Sequence, residues 1–406
     1  MNAPASTPSP IARSWWPITL FAAALLMVTM GSRQSMGLFL SPINTDTGLG
    51  VVTLSFALAV GQFVWGAVQP ITGAIADRYG PGRVLAGGIV LLAAGTALAP
   101  FMTSAFGMTI VLGVLVAAGA GACSFSVLIG AVSQYVPASS RGTASGVINA
   151  GSSLGQFVFA PVAQALIAAV GWMGALWSLA AITLASLPIT RLMRRAPQPG
   201  AAANTGTGLR QAVREAFANR SYLLLHAGFF TCGFHIAFLV THLPGEVGLC
   251  GLPPTVAGWS LALIGLANIA GSLLAGQAVN RYRSKYILFW MYLSRAVLVV
   301  AYLAAPKTAL TFYLLAIGLG LTWLGTVPPT AGVVAKLFGV RYLATLFGMT
   351  LLSHQIGGFF GAWLGGLAVA GTGSYLWMWY ADAVLALAAA LVNLPIREPV
   401  VERAPA

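Results

Sequence analysis

The sequence predicts an all-α membrane protein, with twelve transmembrane helices in two pseudo-symmetric six-helix bundles, and three observations carry that prediction. Of 406 residues, 58% are hydrophobic and only 7% charged, with a mean hydropathy of +0.87, whereas an average soluble domain carries roughly 25% charged residues. Twelve apolar stretches each approach the about 20 residues needed to cross a bilayer core about 30 Å thick. Residues also recur at a constant spacing between the two halves of the chain.

Taken in order, the first half holds helix 1 at 17–40, helix 2 at 54–76, helix 3 at 83–103, helix 4 at 106–136, helix 5 at 142–169 and helix 6 at 171–191. The second half holds helix 7 at 222–243, helix 8 at 254–279, helix 9 at 286–305, helix 10 at 308–335, helix 11 at 342–369 and helix 12 at 375–396. Helix 1 is too long for a signal-peptide core of roughly 7–15 residues and lacks a cleavage pattern after it, so it is expected to be retained. The domain division that follows is a tail at 1–16, a bundle at 17–191, a linker at 192–221, a bundle at 222–396 and a tail at 397–406. The linker is polar and basic; a short amphipathic helix around 208–219, lying on the membrane surface, competes there with a plain flexible connection.

The net charge of +13 would suggest nucleic acid in a soluble chain, but its placement makes it an orientation signal. Seventeen of the 20 Lys and Arg residues fall in the two tails and the turns after helices 2, 4, 6, 8 and 10; Lys307 falls on the other side, and Arg33 and Arg295 lie inside helices. By the positive-inside rule both termini are cytoplasmic, which requires an even number of spans and agrees with twelve. The expected location is the cytoplasmic (inner) membrane. The three cysteines, Cys123, Cys232 and Cys250, are scattered and unpaired in sequence, so neither a disulfide framework nor a metal site is indicated.

The halves echo each other. Gly146, Gly155 and Phe157 match Gly348, Gly357 and Phe359 at an offset of 202, and "GAIADRYGPGR" at 73–83 matches "GQAVNRYRSKY" at 276–286 at an offset of 203. Two parallel six-helix repeats suit a transporter that rocks one half against the other around a midplane site. In the first copy Gly73 allows close helix approach, Asp77 is placed to cap and to pair with arginines, and Gly80 permits a tight turn before Arg83. The second copy has Asn280 for the acid and Arg283 for the glycine, so a weaker latch is expected there.

Gly73, Asp77, Arg78, Gly80 and Arg83 match the pattern Gly-x-x-x-Asp-Arg-x-Gly-x-x-Arg, and on these residues the whole chain resembles the major facilitator superfamily. The resemblance implies that fold, a gating role for these five residues and a central cavity lined by helix 1. "GSRQSMGLFLSPI" and "SHQIGGFFGAWLGG" are most similar to bacterial monocarboxylate and oxalate/formate transporters. Relatives of that kind place a basic residue in helix 8 or 11, and here helix 8 has none and helix 11 only His354. The glycine-proline signature of proton-driven drug exporters is replaced by Phe159 and Ala160, which lowers the weight of drug export.

Arg33 interrupts the apolar run "ALLMVTMGSRQSMGLFLSP" about 16 residues into helix 1, roughly 24 Å at 1.5 Å per residue. Arginine there costs around 2.5–3.5 kcal/mol to insert, which favours a wet cavity or a partner. Gly31, Ser32, Ser35 and Gly37 leave room beside it, and a guanidinium fork suits a carboxylate. Binding of a substrate anion and snorkelling outward both remain open. Arg295 of helix 9 and Asp382 of helix 12 lie at similar depth and are expected to pair, with Asp382 as proton carrier the competing role. His235 and His354 reach mid-depth and suit proton coupling or a carboxylate hydrogen bond, whereas His226 and His242 lie near opposite ends of helix 7 and are expected at the interfaces. Gln62, Trp65, Asn149, Gln156, Asn268, Thr322, Trp323, Thr326 and Gln355 could complete a pocket or bond helix to helix. "YLWMWY" at 375–380 reads as an interfacial aromatic belt.

The expected function is proton-coupled secondary transport of a small organic anion, a monocarboxylate by preference. The partners are that anion, protons and membrane lipids; the chain acts as a monomer and uses no cofactor, metal or nucleic acid. The alternative is proton-coupled export of an amphiphilic or anionic compound. A polytopic sensor or enzyme is disfavoured, because only seven acids are spread along the chain and it lacks HExxH, GxSxG and Walker sequences.

Overall fold

The computed structural model of the chain describes residues 15–193 and 208–399. Most of the N-terminal tail, the linker segment carrying Arg194 and Arg195, and the end of the C-terminal tail lie outside those residues. Among the described residues every regular element is helical, and eleven helices are long and apolar enough to cross a membrane. The twelfth is the Gly-, Ser- and Asn-rich first part of Arg141–Ala185. This stretch is two helices, because Gly171 at φ 72°, ψ 171° breaks it, a conformation that costs a residue without Cβ little. Helices 5 and 6 therefore meet at the glycine where the sequence divides them.

Several spans are not uniform rods. Helix 1 is regular only over Trp16–Gln34 and tightens into a 3₁₀ turn at Ser35–Phe39, so Arg33 sits in its last α-helical turn, where a cation complements the C-terminal partial charge. Helix 4 breaks at Cys123 and Ser124, between Ala117–Ala122 and Phe125–Ser133. Helix 10 breaks after Ala309–Thr322 and restarts at Val327–Phe338, whose first turn contains two prolines. The two restarts are 202 residues apart, so the repeat extends to these discontinuities.

The helix contacts obey the same offsets. Helix 1 packs along helix 5 and helix 7 along helix 11; helix 2 packs along helix 11 and helix 8 along helix 5. Gly155 lies against the backbone of Met27, and Gly357 against that of Phe230. Across the halves, a Cβ on Gly146 would fall 2.7 Å from the Ser272 carbonyl oxygen and one on Gly348 would fall 2.9 Å from that of Gln69. Both lie inside van der Waals contact. Small residues at these crossings let backbones approach closely, which is how helices associate where lipid removes the hydrophobic drive.

The linker helix is present at Leu209–Ala218, with Ala216 buried and Phe217 exposed. Phe217 packs on Tyr222 and His226. The aromatic run at 375–380 is only partly a surface belt. Leu376, Trp377 and Tyr380 are exposed, but Tyr375, Met378 and Trp379 are buried, with the Trp379 ring 4.6 Å from Tyr302 and 5.1 Å from Phe238.

Candidate functional site

The signature turn builds one end of the site. Helix 2, Val51–Tyr79, and the next, Pro81–Leu98, are joined through Gly80 alone at φ 90°. Asp77, in the last turn of helix 2, reaches the N-terminus of helix 11, where its Oδ2 accepts from the Thr345 N–H at 2.9 Å and from the Thr345 hydroxyl at 2.6 Å. A carboxylate there satisfies orphan donors and meets the positive end of the helix dipole. Asp77 is thus a cap in trans, acting on helix 11 rather than on its own turn. Gly73 makes the approach possible, since a Cβ there would stand 2.5 Å from the Ala344 carbonyl oxygen. Arg78 and Arg83 are exposed, Arg78 over the Tyr79 ring.

The second copy makes the same latch with different chemistry. Asn280 of helix 8 accepts through Oδ1 from the Gly142 N–H at 3.0 Å, at the start of helix 5, and donates through Nδ2 to the Thr143 hydroxyl at 2.6 Å. An amide offers both a donor and an acceptor. Asn280 therefore matches the two hydrogen bonds of Asp77 without the charge.

Asn149 and Asn268, expected in a pocket, instead tie helices 5, 8 and 10 together. Asn149 Nδ2 donates to the Ser272 hydroxyl and to the Leu324 carbonyl, both at 2.7 Å. Asn268 donates to the Ser153 hydroxyl at 2.6 Å and accepts from the Leu324 N–H at 2.9 Å. At the break in helix 10 the Leu324 N–H is left to Asn268, and the Leu324 carbonyl, which also accepts from the Val327 N–H at 3.0 Å, takes a second bond from Asn149. Sequence depth could not separate such a role from ligand binding, because both use the same residue types.

Arg33 is half-buried and stands over the Trp65 ring at 4.6 Å from the centroid, donating to the side-chain Oε1 of Gln62. Gln62 is exposed, and Gly37 one turn on faces open space. Among the described residues no carboxylate pairs with Arg33. A guanidinium carries five N–H donors, so the fork retains capacity for an anion.

Arg295 and Asp382 do not pair. Arg295, 1% exposed, donates to the Thr322 hydroxyl and carbonyl, to the Trp323 carbonyl at 2.7 Å and to the Cys232 sulfur at 3.3 Å. It caps the C-terminal end of the first part of helix 10, so free carbonyls take the place of a carboxylate counter-ion. Asp382 instead meets His235, with Oδ2 2.6 Å from Nδ1 and both side chains fully enclosed. The expectation matched depth, but facing depends on helix rotation, and the inward face of helix 12 points to helix 7.

His235 and Trp323 are accordingly not lining an open pocket: Trp323 is buried, with its ring 6.1 Å from that of His235. His354 is buried against Phe229, with Nδ1 2.9 Å from the Gln355 amide. His226 and His242, towards opposite ends of helix 7, bond to helix 11, His226 to Ser353 at 2.6 Å and His242 to the Ala362 carbonyl at 2.8 Å. Cys232, for which the sequence indicated neither a disulfide nor a metal site, is the junction of Arg295 and Thr326, each 3.3 Å from its sulfur.

Comparison with known proteins agrees with this architecture. The family model of the Major Facilitator Superfamily matches residues 21–349 and 247–406. Monocarboxylate transporter 13 of Rattus norvegicus is 25% identical over 94% of this chain and 89% of its own length, and the uncharacterized MFS-type transporter YcxA of Bacillus subtilis is 23% identical over 90% of each. Among solved structures, the Escherichia coli fucose:proton symporter FucP superposes with a TM-score of 0.74 at 14% identity, covering 94% of this chain and 98% of that one, and the proton:xylose symporter XylE scores 0.74 at 14% identity over 95% and 96%. With its paired latches, offset repeats and broken helices 4 and 10, the chain belongs to the Major Facilitator Superfamily of membrane transporters.

Proposed function

We propose that the protein is a secondary active transporter that moves a small organic anion, of the monocarboxylate class, across the cytoplasmic membrane together with protons. The two six-helix bundles at 17–191 and 222–396 rock as bodies in alternating access, and the protein works as a monomer with both termini cytoplasmic. The observation that carries this reading is Arg33: a half-buried guanidinium with no carboxylate partner among the described residues, backed by Trp65 and steered by Gln62. A cation held at that depth needs a compensating group, and a substrate carboxylate supplies one with matching fork geometry. Relatives named monocarboxylate transporters and fold neighbours titled proton symporters support the substrate class and the coupling.

In this conformation the latch end is closed, by Asp77 on helix 11 and Asn280 on helix 5. Under the positive-inside reading that end is cytoplasmic, so the anion would reach Arg33 from the opposite side. The test is uptake of short radiolabelled carboxylates into proteoliposomes under an imposed inward proton gradient. Saturable, gradient-dependent uptake of a monocarboxylate by the wild type supports the reading; its absence across the panel rejects the substrate class.

A further inference from the structure

The second half of the chain encloses a cluster of ionisable side chains that the Arg33 site does not use. His235 and Asp382 are 1% and 0% exposed and share a 2.6 Å contact, yet His235 Nε2 and Asp382 Oδ1 have no hydrogen-bond partner. Buried polar atoms are almost always satisfied, so an orphaned pair on one contact calls for an explanation. The charged and titratable groups around them are few. Helix 7 adds Cys232, three residues before His235; helix 9 adds Arg295 and Tyr292; helix 11 adds His354; the adjoining break of helix 10 contributes Trp323 and Thr322, which do not titrate.

We propose that the His235–Asp382 pair is the site that holds the transported proton. The inference rests on the proposed anion symport and names where its coupling ion sits. In the unloaded form Asp382 is a carboxylate accepting from a neutral His235, and Arg295 supplies the balancing charge, so the cluster is neutral. One proton taken up through His235 Nε2 and held on Asp382 Oδ1 leaves the cluster with a net charge of +1. A lone positive charge in a dry interior is costly, and an arriving anion offsets it. Proton and anion then bind with mutual reinforcement, the reciprocal coupling that symport requires.

The contacts also provide a route between the two sites. Trp65, under Arg33, is followed by Gly66, whose bare Cα faces the Gln355 side chain. Gln355 bonds His354, and His354 packs on Phe229 of helix 7, the helix that carries Cys232 and His235. Loading at Arg33 therefore bears on helix 7, and on the His235 it carries, through Gln355 and His354 of helix 11.

Two measurements test the assignment, one of them without substrate. In purified wild-type protein, infrared difference spectra between acid and neutral pH should contain a protonated-carboxyl band that Asp382→Asn removes; with only seven acids in the chain, the band is assignable. In proteoliposomes with [¹⁴C]pyruvate as probe, Asp382→Asn and His235→Gln should abolish accumulation driven by a pH gradient, which for one proton is about tenfold per pH unit, while pyruvate exchange survives at a reduced rate. A carboxyl band that persists unchanged in Asp382→Asn overturns the proposal, as does wild-type accumulation in either variant. If the wild type exchanges no pyruvate, the monocarboxylate reading fails by itself, and the infrared band still decides the proton site.

Discussion

The two halves of the molecule share one backbone plan and fill it differently. At the offset of 203, Arg295 of helix 9 corresponds to Leu92 of helix 3, His235 to Ser32 and Asn280 to Asp77. In the second half the break of helix 10 is capped by a buried guanidinium and flanked by a His–Asp pair; in the first half the break of helix 4 is lined by alanine, glycine and Cys123, whose thiol donates to the Leu85 carbonyl at 3.3 Å. The first half keeps its one embedded cation, Arg33, half-buried beside an exposed Gln62. The difference teaches a division of labour: one bundle presents a charge to an open space, and the other seals its charges inside.

The largest effect tests that division directly. Arg33→Ala should leave folding intact and eliminate saturable anion uptake, and Arg33→Lys should restore little, because a point charge cannot reproduce the fork. Detergent-solubilised monodispersity and initial uptake rates check this; unchanged uptake in Arg33→Ala would remove the open site from the comparison.

A second effect sharpens the sealed side. Arg295→Leu gives helix 9 the residue that helix 3 carries, but leaves the Thr322 and Trp323 carbonyls uncapped. Unsatisfied buried acceptors cost about 1–3 kcal/mol each, so a loss of about 3 kcal/mol in stability is expected, read as a clear drop in unfolding midpoint in detergent. Leu92→Ala, an ordinary cavity substitution, should leave the helix 4 break intact by comparison.

The latches predict a smaller, exchangeable effect. Asp77→Asn keeps an oxygen acceptor for Thr345 but removes the charge from the helix 11 dipole, worth about 0.3–1 kcal/mol. A cysteine placed at Ala344, which the closed latch covers, should then label up to about fivefold faster, with anion affinity at Arg33 unaltered. Asn280→Asp in the same background should recover part of the protection by charging the other latch. No change in labelling would show that hydrogen bonding alone, common to both halves, holds this end shut.

The smallest effect concerns one matched pair of positions. Gly151 lies against Ala23 in the first half, where the second half has Ser353 bonded to His226. Hydrogen bonds between membrane helices average about 0.6 kcal/mol, so a double-mutant cycle with His226→Ala and Ser353→Ala should return a coupling of that order. A coupling several times larger would give this pair a role beyond packing.

How much of this was legible is best judged residue by residue. The signature turn announced the Asp77 latch, and the offset of Asn280 announced its partner, yet only the contact with Thr143 reveals that the amide works as well as the acid in bond count. His235 and Asp382 were both readable as embedded and titratable, but their pairing was not; depth pointed Asp382 to Arg295. Cys232 carried no signal at all, because a thiol among apolar neighbours reads as core until its partners are known.

The sequence by itself determined the spans, the repeat and the depth of each charge. Hydropathy, glycine punctuation and residue counting are one-dimensional properties, and a helix rises by a constant step per residue, so position along the membrane normal can be counted. The tertiary structure alone decided which side chains meet. Facing depends on how each helix is rotated and where it breaks, and those are set by close packing against neighbours distant in sequence. The asparagine bonds to Leu324 at the helix 10 break, the carbonyls beneath Arg295 and the enclosed His235–Asp382 contact all arise from that packing.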